Sequence, residues 1–274
     1  MLFIRGDVSE AKKINLIFYL CNKKDSKSIM DYSALAKSYN TLDYPYKLRE
    51  TLKAFYKSDD YNHLTKYELI KTINKTLINN YEGEQVIKYK LAKEFIKKNY
   101  VAAFEVRAKN SRADFLVING FTQSFEVKSK IDNLNRLGKQ ASAYGDVFEF
   151  NTVVTDPIHL DAVKGILPAH YGIWCFEGKK KIVYREAKFS PNLCSREQLC
   201  LFNKKELYFH FNQTDIELIV ERSSKEEINA NLKAALKKRY SARWTFVQSN
   251  WGRIFPIDVQ FFFNTNIRPE LIYS

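Results

Sequence analysis

The chain has 274 residues, 45% of them hydrophobic and 15% aromatic, with only nine glycines and six prolines. That composition excludes a disordered or low-complexity protein and supplies enough apolar material for a sizeable folded core. Lysine and arginine number 44 against 31 acidic residues, a formal charge of +13, which favours a polyanionic partner such as nucleic acid and equally suits a lysine-rich solubilising surface.

Ile14–Leu20 is mostly apolar, but Asp7, Glu10, Lys12 and Lys13 precede it and Lys23, Lys24 and Asp25 follow, so it does not read as a leader peptide. No apolar run reaches the roughly 18 residues a membrane span needs, and a cytoplasmic protein with no membrane role is expected. Cys21, Cys175, Cys194 and Cys200 form no C-x-x-C pair, and His63, His159, His170 and His210 are scattered, so neither a zinc site nor a disulfide framework is indicated.

The periodicity predicts helices over Ser33–Tyr39, Tyr46–Tyr56 and Lys66–Ile78, forming a helical accessory region over residues 1–80. A stronger helical stripe, Ile87, Leu91 and Phe95, lies within Glu82–Lys98, with lysines on the remaining positions. The period then changes to that of strands: Val101–Ala108, Ala113–Ile118 and Thr122–Ser129, joined by polar turns including Asn119-Gly120. Asp132 is placed to cap a helix over Asn133–Phe148. A strand over Asn151–Thr155, a helix over Leu160–Leu167 and a hairpin of Gly172–Phe176 with Lys181–Arg185 complete a core over residues 81–190. The expected class is α/β, a mixed sheet flanked by helices. Residues 191–274 read as a mixed accessory region, with a basic helix over Lys225–Tyr240 and candidate strands over Trp244–Val247 and Val259–Phe263.

Asp114 opens an otherwise apolar strand, where a carboxylate is costly unless paired or bound to a cation. Glu126 and Lys128 sit two apart on the next strand and so share a face. Two carboxylates for magnesium or manganese with an ammonium beside them suit phosphodiester hydrolysis by a metal-activated water, which Lys128 could orient or help deprotonate. A lone E-x-K pattern is more commonly a cross-strand salt-bridge cluster. The metal site makes a geometric demand: a strict two-residue Asn119-Gly120 turn would set Asp114 opposite Phe125, so a longer loop or a bulge is required to bring it opposite Glu126.

With Gln140-Ala141-Ser142-Ala143-Tyr144 on the following helix, the stretch from Glu82 to Lys188 resembles the PD-(D/E)XK nuclease superfamily, in its RecB-like branch with a Q-x-x-x-Y motif, and most of all a bacterial group of nuclease-like proteins. The resemblance implies a restriction-endonuclease-like core and a magnesium- or manganese-dependent nuclease. Asp114 and Glu126 would be metal ligands and Lys128 the catalytic lysine. Gln140 and Tyr144, with Arg136 one turn earlier, would form a polar face toward the ligands or the nucleic-acid backbone, with Arg112 and Lys130 as further contacts. A glutamate on the first core helix often joins the metal, here Glu84, with Glu82 as competitor and Glu105 as fallback. Alanine rather than proline precedes Asp114.

DNA is the expected substrate and RNA an alternative. A catalytically inactive nucleic-acid-binding or regulatory module on the same fold is the rival from another class. Host defence is an associated setting, and a protein partner stays open. Arg243, Trp244, Trp251 and Arg253 suggest base stacking or, more commonly, core. Lys233, Lys237, Lys238 and Arg239 suggest phosphate contacts or a solvated face.

Overall fold

The computed structural model describes residues 31–178 and 180–274; Ile14–Leu20 and Cys21 lie outside the described residues. The chain divides into two compact units, Met1–Tyr81 with Glu270–Ser274, and Glu82–Pro269.

The described part of the first unit is helical: α1 (Tyr32–Ser38), α2 (Pro45–Tyr56) and α3 (Lys66–Asn80). Local chemistry sets their ends. Asp31 accepts from the Ala34 N–H at 3.0 Å, Pro45 opens α2, and Thr65 with Glu68 forms a reciprocal capping box at the start of α3. Leu48, Leu52, Leu69, Ile73 and Leu77 are fully buried between the helices.

The second unit runs α4 (Glu84–Phe95), β1 (Val101–Ala108), β2 (Ser111–Ile118), β3 (Thr122–Lys128), α5 (Leu137–Gly145), β4 (Phe150–Thr155), α6 (Leu160–Ile166), β5 (Gly172–Glu177) and β6 (Lys180–Arg185). The six strands form one sheet in sequence order. The β1–β2–β3 meander is antiparallel, β3, β4 and β5 are parallel, and β6 returns antiparallel. This is the α/β class that the pattern predicts. Helices α5 and α6 make the crossovers between the parallel strands.

Each face of the sheet has its own core. On one, Phe95 of α4, Phe104, Phe115, Phe125, Trp174, Trp244 and Phe263 make an aromatic cluster of tilted and edge-on pairs. On the other, Leu137 and Ala141 of α5 and Val163 of α6 pack on Val153 and Ile173.

Three local expectations are corrected. Helix α5 starts at Leu137, not Asn133, because Asp132 spends its carboxylate on the turn, accepting from the Ser129 N–H at 2.7 Å and hydroxyl at 2.6 Å. The proposed strand Trp244–Val247 belongs to a 26-residue helix, α10 (Lys225–Asn250), because Ile228, Leu232, Leu236, Trp244 and Val247 keep one buried stripe. The segment Val259–Phe263 is helical too, in α11 (Val259–Thr265), closed by Asn266 in the left-handed region. Tertiary packing of these aromatics overrides their strand preference. Residues up to Pro269 therefore belong to the unit that holds the sheet, together with the short helices α7 (Ser195–Leu199), α8 (Lys204–Phe211) and α9 (Ile216–Arg222). No helix of the described residues is long and apolar enough to cross a membrane.

Candidate functional site

The β2–β3 hairpin settles the geometric demand. Ile118 pairs with Thr122, leaving the three-residue loop Asn119-Gly120-Phe121, in which Gly120 has φ 105° and the Asn119 N–H donates to the Phe121 carbonyl at 3.1 Å. The register runs through Phe115↔Phe125, and its next step sets Asp114 opposite Glu126. In β1, Phe104↔Phe115 and Val106↔Ala113 bracket Glu105, which therefore lies opposite Asp114 on the other side. Glu126 in turn pairs with Val153 of β4. One row across the sheet thus reads Glu105, Asp114, Glu126, then apolar Val153: acids over the meander, core over the parallel strands.

Glu105 has φ 55°, a left-handed conformation in the middle of a strand. A non-glycine residue there carries strain on the order of 1–3 kcal/mol, of the kind that concentrates at functional sites.

Two networks flank Asp114. In the first, Glu126 is buried at 3% exposure, and its Oε1 accepts from Lys128 Nζ at 2.7 Å and from the Gln140 amide. Gln140 Oε1 accepts from Lys128 Nζ at 3.0 Å, and the Tyr144 hydroxyl lies 2.7 Å from Glu126 Oε2 and 2.6 Å from the Arg112 carbonyl. The Gln140–Tyr144 spacing on α5, one turn, aims both side chains at the same carboxylate. Four predicted residues, Glu126, Lys128, Gln140 and Tyr144, are therefore brought together.

The second network is centred on Lys88. Its Nζ is ion-paired with Glu84, Glu105 and, at 3.1 Å, Asp114 Oδ1. Carboxylate oxygens of Glu84, Glu105 and Asp114 all lie within 4.8 Å of one another. Asp114 Oδ2 accepts from the Val127 N–H at 2.6 Å. Glu84 and Asp114 thus come together as the resemblance implies. The acid that joins them is Glu105, while Glu126 faces Lys128 and α5. Glu82 instead pairs with Lys130 at 2.9 Å, away from this cluster.

The charges strain against each other. Burial, then the nearby Glu126 charge, pushes the Asp114 carboxyl up to about 8 against the pull of Lys88. Burial also raises Glu126, opposed by Lys128, Tyr144 and Gln140. For Lys88, burial works against the charge, but Asp114, Glu84 and Glu105 outweigh it and hold the ammonium above the usual lysine range.

The site opens into a cavity of about 920 Å³ whose wall includes Glu84, Glu105, Asp114, Glu126 and Lys128 and whose basic residues are Arg107, Lys109, Arg112, Arg136 and Lys139. Among the described residues, Arg112, Arg136 and Lys139 are exposed and carry no ion pair, whereas Lys109 is held by Asp146 at 2.6 Å. The donors at Asp114 are carboxylate oxygens only, the set that hard divalent ions such as magnesium and manganese take. The residues present therefore fit such an ion at Asp114, Glu84 and Glu105.

Sequence reading missed Lys88, Arg107 and Lys139. Lysines on α4 are expected to face solvent, yet Lys88 is 2% exposed. Its spacing of four from Glu84 and three from buried Leu91 was the available signal. Other features resolve into structure. Trp244 is core, and Trp251 stacks on Tyr89 with ring centroids 5.2 Å apart. Of the basic residues on α10, Lys233 is tied to Glu149 at 3.0 Å and Arg239 to Glu206.

A protein of unknown function from Silicibacter pomeroyi resembles 41% of this chain over 76% of its own, with 18% identity and a TM-score of 0.32. Protein cII of enterobacteria phage P4 is 28% identical over 146 residues, 48% of this chain and 55% of that protein, so the match spans about half the length of that curated relative. The family model described as Bacteriophage P4 protein cII matches residues 76–262, which take in the whole sheet and both networks at Asp114, and the chain belongs to that family.

Proposed function

We propose that this protein is a metal-dependent nuclease that hydrolyses phosphodiester bonds in nucleic acid, with DNA as the first substrate to test, on a core resembling the RecB-like PD-(D/E)XK nucleases. The carrying observation is the carboxylate row Glu105–Asp114–Glu126, with Lys128 on the same face and Gln140 and Tyr144 of α5 closing over it. The order α4, β1–β2–β3, α5, β4, with β4 parallel to β3, supports the same reading.

A bound magnesium or manganese ion would supply charge neutralisation at the scissile phosphate and activation of water. Asp114, Glu84 and Glu105 would hold it. Lys128, fixed by Glu126 and Gln140, presents an ammonium where negative charge develops and where it can donate to and orient the attacking water. Tyr144 keeps Glu126 oriented. Arg112, Arg136 and Lys139, free of ion pairs among the described residues, give the phosphate backbone a place to lie.

One observation favours a second reading, an inert nucleic-acid-binding module: an ammonium from the chain itself, Lys88, already sits among three of the carboxylates. Cleavage of labelled single- and double-stranded DNA and RNA in Mg²⁺ or Mn²⁺, beside Asp114→Ala and Lys128→Ala, decides between them. Metal-dependent cutting lost in both variants supports the nuclease and names its substrate. Binding without cutting in either metal supports the module, and cutting that both variants retain defeats the assigned site.

A further inference from the structure

Lys88 is a buried cation on the cavity side of α4, and its surroundings are unusual for a lysine that only packs. Its Nζ touches carboxylates from three separate elements, Glu84 of α4, Glu105 of β1 and Asp114 of β2. These are the same three whose oxygens converge within 4.8 Å. Glu105 reaches the ammonium from a strained φ of 55°. A fourth acceptor, Gln260 Oε1 on α11, receives a hydrogen bond from Nζ at 3.2 Å.

The ammonium already holds one oxygen of each of these three carboxylates, and a divalent ion drawn into the same cluster would meet its like charge at close range. We propose that Lys88 is a built-in counter-ion that occupies the cation position of this site, so that a divalent ion binds only by displacing Lys88 Nζ, and Lys88 thereby sets the site's metal affinity. The inference rests on the nuclease reading and adds a positioning residue to it. A compact ammonium on a flexible four-carbon stem is suited to such a displacement. Gln260, which is not a carboxylate, lets the displaced Nζ keep one hydrogen-bond acceptor. The arrangement keeps the buried acids neutralised without metal, when an uncompensated cluster would be strongly unfavourable.

The test is Mn²⁺ binding to the full chain by calorimetry, with thermal melts at each Mn²⁺ concentration, for wild type, Lys88→Met and Lys88→Gln. The glutamine variant keeps a hydrogen-bond donor for Glu105 and Gln260 while removing the charge. Both variants are expected to bind Mn²⁺ at least tenfold more tightly than wild type, and to be less stable without metal yet rescued by Mn²⁺ to a larger rise in Tm. A variant that folds only when Mn²⁺ is supplied supports the proposal in the same way. Equal Mn²⁺ affinity in all three proteins, or loss of folding that Mn²⁺ does not restore, overturns it. If wild type still cleaves nucleic acid in that case, the nuclease reading stands and only the role of Lys88 falls; absence of both Mn²⁺ binding and cleavage removes both.

Discussion

Tyr144→Phe removes one hydroxyl from the centre of the site, where it lies between Glu126 Oε2 and the Arg112 carbonyl. Tyr144 is 1% exposed, and its hydroxyl is the donor to Glu126 Oε2 among the described residues, since Lys128 and Gln140 both use Oε1. Deleting the hydroxyl leaves a buried carboxylate oxygen without that donor, which costs about 1.5–3 kcal/mol for a charged acceptor. For a protein of this size that is a Tm drop of about 3–12 °C. Burial, followed by the Glu126 charge, holds the Tyr144 hydroxyl well above its ordinary value, so it remains a donor throughout the accessible range.

The effect carries a pH signature. Burial raises the Glu126 carboxyl, and the Tyr144 bond opposes that rise because it favours the charged form. Its contribution is therefore complete above the folded-state pKa of Glu126 and fades as pH falls through it. With the folded pKa raised, the folded protein keeps a proton that the unfolded chain has released, so stability declines as pH rises through that window. Removing the hydroxyl lifts the carboxyl further and carries the decline on to higher pH. The deficit of Tyr144→Phe should grow as pH rises through the raised Glu126 titration, followed in urea melts with chelator present. Tyr171→Phe is the control, because the Tyr171 hydroxyl donates to the neutral carbonyl of Ala141, and its loss of about 1 kcal/mol should not change with pH. A Tyr144→Phe deficit that stays constant as pH rises would refute the reasoning.

Asp114→Asn should flatten the pH dependence of stability in the metal-free protein. The Asp114 carboxyl is pushed up to about 8 by burial and then by Glu126, against about 3.9 in an unfolded chain, so stability falls across that interval by at most about 1.4 kcal/mol per pH unit. Urea melts from pH 5 to pH 8 read this, and an unchanged slope in the variant would place the titration elsewhere. Arg112→Ala, Arg136→Ala and Lys139→Ala should each lower the salt dependence of DNA binding, measured by anisotropy, by about one unit of slope. A variant with the wild-type slope takes that residue off the phosphate path. Gly172→Ala should destabilise by about 1–3 kcal/mol, because a Cβ there would lie 2.7 Å from Thr152 Oγ1 and 3.0 Å from the Ala187 backbone nitrogen. A melt matching wild type would mean that β4 and β5 can part at no cost.

The sequence by itself determined the elements whose signal is local. The change from helical to strand period after Lys98, the meander, and the spacings Glu126-x-Lys128 and Gln140-x-x-x-Tyr144 are legible because strand and helix periods fix which side chains share a face. The required irregularity in the Asn119-Gly120 turn was legible as well, since one residue of register reverses a strand's faces. Other boundaries depended on distant partners. Asp132 was free to cap a helix or bind Ser129, and Trp244 and Phe263 were free to sit in strands, until packing on Phe115 and Phe104 decided for helices.

The tertiary structure alone decided which charges meet. Glu105 joins Asp114 through the register of β1 on β2, and Lys88 meets Gln260 across 172 residues of sequence. A lysine on a helix surface and a lysine buried among acids have the same local pattern. What separates them is whether carboxylates from other strands arrive to offset the desolvation of its charge, and periodicity carries no record of that.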